Sequence, residues 1–290
     1  MIFGFISIDW DNQALKTIGE ILLDSGFEWM ELHYPRYANG DNFFEEYRKV
    51  NANLIKKYNP SLSLHLPGGD INPASINWRI RQESLRQLKE AIDFGKEMGV
   101  SLVVMHPGEI RDVDFPPDAE KVEFERVRDS ITEARGRAWR LNVDAVVECA
   151  NYAQGKGMEM TVENLFSPAT LLKTSEQAHQ FLLDANNSNI YWTLDAGHAF
   201  RAGINPAVFI ERLGREVIHL HLNDNDGNCD LHLPVGKGSI DFVPLIQTLK
   251  KFDYEGAIVL EITSNKTEDF LESKAFLENL LKGGEMAGGH

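Results

Sequence analysis

Eight short runs rich in Ile, Val, Leu and Phe recur along the chain, and a longer stretch of helical periodicity follows each of them. That alternation constrains the fold most, because strand–helix repeats make a parallel sheet with its helices outside. The strand candidates are Ile2–Ile8, Trp29–His33, Leu62–Leu66, Leu102–His106, Glu159–Glu163, Tyr191–Asp195, Val217–Leu222 and Ala257–Ile262. The helical stretches between them are Gln13–Asp24, Asn42–Lys57, Trp78–Met98, Val122–Gln154, Ser175–Ala185, Pro206–Leu213, Phe242–Lys251 and Glu268–Leu281. Several end at a glycine ahead of the next strand, as in Ser25-Gly26, Met98-Gly99 and Lys156-Gly157, the usual form of an α-to-β connection. Eight units in 290 residues, without a long linker, fit one closed (β/α)8 barrel better than an open sheet with a second domain. Residues 1–282 are expected to form that domain and residues 283–290 a flexible tail, which removes His290 as a ligand candidate.

Charge narrows the partners. With 29 Lys and Arg against 44 Asp and Glu, the net charge of −15 repels polyanions and disfavours nucleic acid without excluding a local site. The most basic segment, Glu120–Arg140, interleaves its cations with acids such as the Glu133/Arg137 pair, so it reads as a solvated helix face. Cys149 and Cys229 stand 80 positions apart and offer no disulfide framework, which suits a reducing compartment and a cytoplasmic address. No apolar run reaches the roughly 18 residues of a membrane span, so no membrane partner is expected. Nothing in the pattern sets an oligomeric state.

The chemistry gathers where the strands end. In a (β/α)8 barrel the active site lies at the C-terminal face, so a polar residue closing a strand reads as functional. The third to eighth strands close on His65, His106, Glu163, Asp195, His221 and Glu261. One buried His or Glu is ordinarily a satisfied structural residue. Six at equivalent positions are different, since crowded carboxylates repel and a divalent cation removes the repulsion; imidazole with carboxylate suits zinc, manganese or iron.

Local spacing adds candidates. His219 and His221 are read as facing opposite sides of one strand, with His221 inward and His219 packed against a helix. Asp195 and His198 straddle a turn containing Gly197, which can bring both to one rim. Asp230-Leu231-His232 brings its alternate side chains together if the segment is extended. Arg201 and Lys237 are candidates for a phosphate or hydroxyl contact. Trp10, Tyr34 and Trp192 read as core before ligand-stacking faces, and Cys229 as a bystander.

These strand ends resemble the xylose-isomerase-like TIM-barrel superfamily, above all in Leu194–Ala202 (LDAGHAFRA), His219–Gly238 (HLHLNDNDGNCDLHLPVGKG) and Asp70–Ser75 (DINPAS). The resemblance to its sugar isomerase and epimerase branch implies a metal held by Glu163, Asp195, His221 and Glu261. It also implies that the two glutamates move protons on either face of a bound sugar and that His198 helps hold it. The resemblance to the endonuclease IV branch implies three zinc ions on nine ligands: His65, His106, Glu163, Asp195, His198, His221, Asp230, His232 and Glu261. That branch would cleave DNA at abasic sites, and Pro35-Arg36-Tyr37 is similar to one of its DNA-facing loops. Yet Leu66-Pro67-Gly68-Gly69 stands where those nucleases place bulky wedging residues.

The expectation is therefore a divalent-metal-dependent isomerase or epimerase of a small sugar or sugar phosphate. It would carry one to three zinc or manganese ions, with Glu163 and Glu261 catalytic and His198, Arg201 and Lys237 binding substrate. A trinuclear zinc phosphodiesterase is the first alternative. A barrel that binds metal or sugar without turnover is the second.

Overall fold

The computed structural model describes residues 1–8, 10–35, 41–111 and 125–283. Its strands are β1 (Ile2–Ile6), β2 (Trp29–His33), β3 (Ser61–His65), β4 (Leu102–Met105), β5 (Glu159–Glu163), β6 (Ile190–Asp195), β7 (Val217–Leu222) and β8 (Ala257–Leu260). They close in chain order into a parallel barrel, β1 pairing with both β2 and β8. The helices are α1 (Asn12–Asp24), α2 (Asp41–Tyr58), α3 (Trp78–Met98), α4 (Glu125–Gly155), α5 (Ser175–Ala185), α6 (Ala196–Arg201), α7 (Ala207–Leu213), α8 (Val243–Lys251) and α9 (Thr267–Leu281). The expected single (β/α)8 barrel is thus the observed fold.

Local chemistry explains the boundaries. Asp11 caps α1 through Ala14 N at 2.7 Å, Asn77 caps α3, and Thr174 with Gln177 forms a capping box on α5. At the end of α3 the chain turns back at Gly99 with φ +81°, a left-handed conformation that glycine adopts without a Cβ clash.

Period-two alternation divides the strands between two environments. On β3, Leu62 and Leu64 belong to the main apolar core, while Ser63 and His65 make polar contacts inside the barrel. Thr193 on β6 likewise donates to Thr161 on β5 at 2.7 Å. A small separate apolar cluster, Ile6, Ala257 and Val259 with Ile8 and Trp29 against it, fills another part. The barrel interior is therefore unusually polar below its C-terminal mouth.

The aromatic residues behave as core: Trp192 is fully buried, Trp10 donates to Ser264 O at 2.9 Å, and Tyr34 packs edge-on against Phe44 and Phe94. Glu133 and Arg137 pair at 2.6 Å on the solvent-facing side of α4. Arg36 and Tyr37, residues 120–124 of the basic segment, and residues 284–290 of the tail lie outside the described residues. Among the described residues no helix is long and apolar enough to cross a membrane.

Candidate metal centre

Glu163, Asp195, His221 and Glu261, from the C-terminal ends of β5, β6, β7 and β8, converge with one donor atom each within 4.8 Å of one another. We call them the inner quartet. Two trios adjoin it: His65, His106 and Glu163, and on the outer side His198, Asp230 and His232. All nine donors marked in the sequence therefore meet at one mouth.

Hydrogen bonds aim the rings. His65 Nδ1 donates to Leu66 O at 2.9 Å, His198 Nδ1 to Asn164 O at 3.0 Å and His232 Nδ1 to Glu261 O at 2.9 Å. Each bond leaves Nε2 for another partner, and in all three that nitrogen faces a carboxylate: Glu163 at 3.4 Å from His65, and Asp230 at 3.4 and 3.2 Å from His198 and His232. His221 is reversed, its Nδ1 facing Glu261 at 3.1 Å and Glu163 at 3.6 Å.

Much of this shell is unsatisfied. Among the described residues, both Glu163 oxygens, Glu261 Oε2, Asp230 Oδ1, His65 Nε2 and His221 Nδ1 are buried without a hydrogen-bond partner. Buried polar atoms without partners are costly. Lone pairs and negative oxygens aimed at common points are the donor set a divalent cation needs, so the residues fit such an ion.

Electrostatics agrees. Burial pushes Asp195 up to about 7, and the Glu261 and Glu163 charges add to it while His198 opposes. Burial disfavours the charged form of His221, but Glu261, Glu31 and Glu163 outweigh it and hold the ring well above its ordinary value. The same contest, with Glu261, Asp230 and Asp195 as the anions, raises His232 to about 10. His106, nearer solvent, is lowered by burial despite Glu163 at 3.2 Å.

One sequence expectation is overturned, and two pairs meet as expected by a different local geometry. His219 is not packed against a helix: residues i and i+2 on a strand share a face, so both rings point inward, and His219 Nε2 meets Glu31 Oε2 at 2.7 Å. The Asp195–His198 turn is the start of α6, with Asp195 as N-cap accepting from His198 N. The Asp230–His232 loop is not extended at His232, whose φ is +46°. A non-glycine residue there is strained, and bonds from His232 Nδ1 to Glu261 O and from Thr263 N to His232 O at 3.0 Å hold it.

Supporting residues escaped the sequence reading. Asn164 clamps the Asp195 backbone through bonds of 2.9 and 3.0 Å, and Asn223 Nδ2 donates to Asp195 Oδ2 at 2.9 Å. Gly197 makes room for that amide, since a Cβ there would lie 1.9 Å from Asn223 Oδ1. Asp224 accepts four backbone N–H bonds, from Asn225, Gly236, Gly238 and Ile240, and so organises the loop carrying Asp230 and His232. The D-A-G-H and N-D-N-D strings carried this signal, but only the fold says what each amide reaches.

The two basic candidates part company. Arg201 lies over the Phe166 ring at 5.6 Å, and Phe166 packs 5.2 Å from the His198 ring, so Arg201 stands at the mouth. The structure does not bring Lys237 to the donor cluster; it is exposed and pairs with Glu272 at 3.0 Å. Cys229 is exposed and free.

Comparison with known proteins places this arrangement. A family model described as xylose isomerase-like TIM barrel matches residues 20–280. The chain belongs to that family. An uncharacterized protein of Methanocaldococcus jannaschii is 29% identical over 288 residues, 97% of this chain and 90% of the other. A crystal structure of a D-tagatose 3-epimerase-like protein superposes with a TM-score of 0.78 at 28% identity, covering 97% of each chain. Inosose dehydratase of Geobacillus kaustophilus is 23% identical over 278 residues, 89% of this chain and 86% of that one. Membership in the xylose isomerase-like family agrees with the resemblance read from the strand ends.

Proposed function

We propose that this family member is a divalent-metal-dependent isomerase or epimerase of a small polyhydroxy carbonyl compound, a sugar or sugar phosphate. The inner quartet carries the reading: Glu163, Asp195, His221 and Glu261 are buried, convergent and partly without hydrogen-bond partners at the barrel mouth. The likeness to a D-tagatose 3-epimerase-like protein at 28% identity supports the substrate class.

The quartet would hold the ion, zinc or manganese. When bound, such an ion polarises a substrate carbonyl and its neighbouring hydroxyl and acidifies the C–H between them. Glu163 and Glu261 are the proton-handling pair, one carboxylate taking the proton from carbon and the other returning one. His198 and Arg201 stand at the mouth, where they can hold hydroxyls or a phosphate.

Incubation of keto sugars with protein and Mn²⁺ in D₂O tests the proposal. Deuterium is expected at the carbon beside the carbonyl, and a chelator should abolish its uptake. Metal and sugar binding without any exchange would make this a binding barrel.

The two trios favour a second reading, a multinuclear hydrolase in which an activated hydroxide attacks a phosphodiester. Chelator-sensitive incision of a duplex at an abasic site, without deuterium uptake across a broad sugar panel, would put that reading first. The −15 charge makes no incision at physiological salt the expected result.

A further inference from the structure

Below the inner quartet the barrel holds an acid that the proposed reaction does not use. Glu31, the third residue of β2, is fully buried. Its Oε1 accepts from His221 Nε2 at 2.9 Å, and its Oε2 meets His219 Nε2 at 2.7 Å and the Ser63 hydroxyl at 2.6 Å. Trp29 Nε1 in turn donates to Ser63 Oγ at 2.8 Å. The carboxylate is held from both oxygens and cannot swing.

An imidazole binds a cation through the nitrogen that carries no proton, so whatever accepts at the other nitrogen sets its tautomer. Glu31 Oε1 requires the proton on His221 Nε2 and leaves the Nδ1 lone pair facing Glu261 and Glu163. His65 and His232 are oriented by backbone carbonyls instead, and His198 Nδ1 lies between Asn164 O at 3.0 Å and Glu163 Oε1 at 3.1 Å. A carboxylate acceptor makes a stronger, charge-assisted bond than a carbonyl and makes the ring a better donor. Donor atoms of Glu31, His219 and His221 also lie within 4.8 Å of one another, but their direct bonds of 2.7 and 2.9 Å use the lone pairs a cation there would need.

We infer that Glu31, held by His219 and Ser63, is a positioning residue that fixes the tautomer and donor strength of His221 toward a divalent cation at the inner quartet. The inference rests on the metal-centre reading above. It makes affinity at the quartet depend on Glu31 while affinity at the outer trio does not.

The test is a Co²⁺ titration of the full chain followed by visible absorption, comparing wild type with Glu31→Gln. The amide keeps the shape and can still accept from His221 while losing the charge. The first Co²⁺ is expected to bind about 10- to 100-fold more weakly. Its visible bands should change, with any later ions binding as in wild type. His219→Gln, which alters one of the two bonds to Glu31 Oε2 and leaves that from Ser63, should weaken the first ion in the same direction by a smaller factor, and it carries the test if Glu31→Gln does not fold. First-ion affinity and spectrum equal to wild type in the folded variant would overturn the positioning role. A wild-type protein that takes up no Co²⁺ would instead overturn the metal-centre reading itself.

Discussion

The inner quartet and the outer trio use the same two donor chemistries on different supports. The quartet stands at the ends of four strands of a closed sheet, and its members are at most 6% exposed. In the outer trio, His198 sits on the first turn of a six-residue helix and Asp230 and His232 on a loop, their side chains 24% and 16% exposed. Strand ends fix a donor through the barrel's hydrogen-bond ladder; the trio depends on local loop bonds, such as the four backbone N–H bonds to the Asp224 carboxylate and the contact of His232 Nδ1 with the Glu261 carbonyl. The difference teaches that one mouth can combine a buried cluster on a rigid sheet with a partly exposed cluster carried by a short helix and a loop.

The harshest way to break this comparison is Glu163→Gln, because Glu163 belongs to the quartet and to the His65/His106 trio. Deuterium exchange should fall by about 10²- to 10⁴-fold. The gain in melting temperature on adding Mn²⁺ should vanish with it. Unchanged exchange and an unchanged Mn²⁺ effect would remove Glu163 from the centre.

Acid should act next most strongly. Burial disfavours charge on His221, His198 and His232, yet the surrounding carboxylates raise all three, His232 to about 10, so the ion-free rings keep their second protons to higher pH than a free imidazole. An ion must displace them, so affinity drops as pH falls, by about tenfold per unit for each proton released. Calorimetry in buffers of different ionisation enthalpy should register proton release at pH 7. Metal uptake with no proton release would contradict the electrostatics.

Asp230→Asn sharpens the contrast by touching the outer trio alone. Binding of ions beyond the first should weaken by at least the ten- to hundredfold that loss of a supporting partner costs, with first-ion affinity held within about threefold. Equal weakening of every ion would mean that the two regions are one unit. Lys237→Ala, outside both, should be the mildest: an exposed pair with Glu272 contributes little, and the Michaelis constant should move by less than about twofold.

The sequence was readable where its signals are periodic. All eight strands begin and end within two residues of expectation, because apolar runs bounded by glycines and caps are local features. The strand-end donors were readable because a polar residue closing an apolar run has few structural excuses. His219 was misread through its strand phase, and that error concealed Glu31, whose partners on β7 are 188 and 190 positions away. Helix α6 is too short to show a period, and the left-handed His232 follows from tertiary bonds that no neighbouring residue announces.

The central claim is that the inner quartet takes the first ion. Anomalous diffraction from crystals given less than one equivalent of Mn²⁺ tests it most directly. A single peak enclosed by Glu163, Asp195, His221 and Glu261 is the predicted result. A first peak among His198, Asp230 and His232, with none at the quartet, would contradict it.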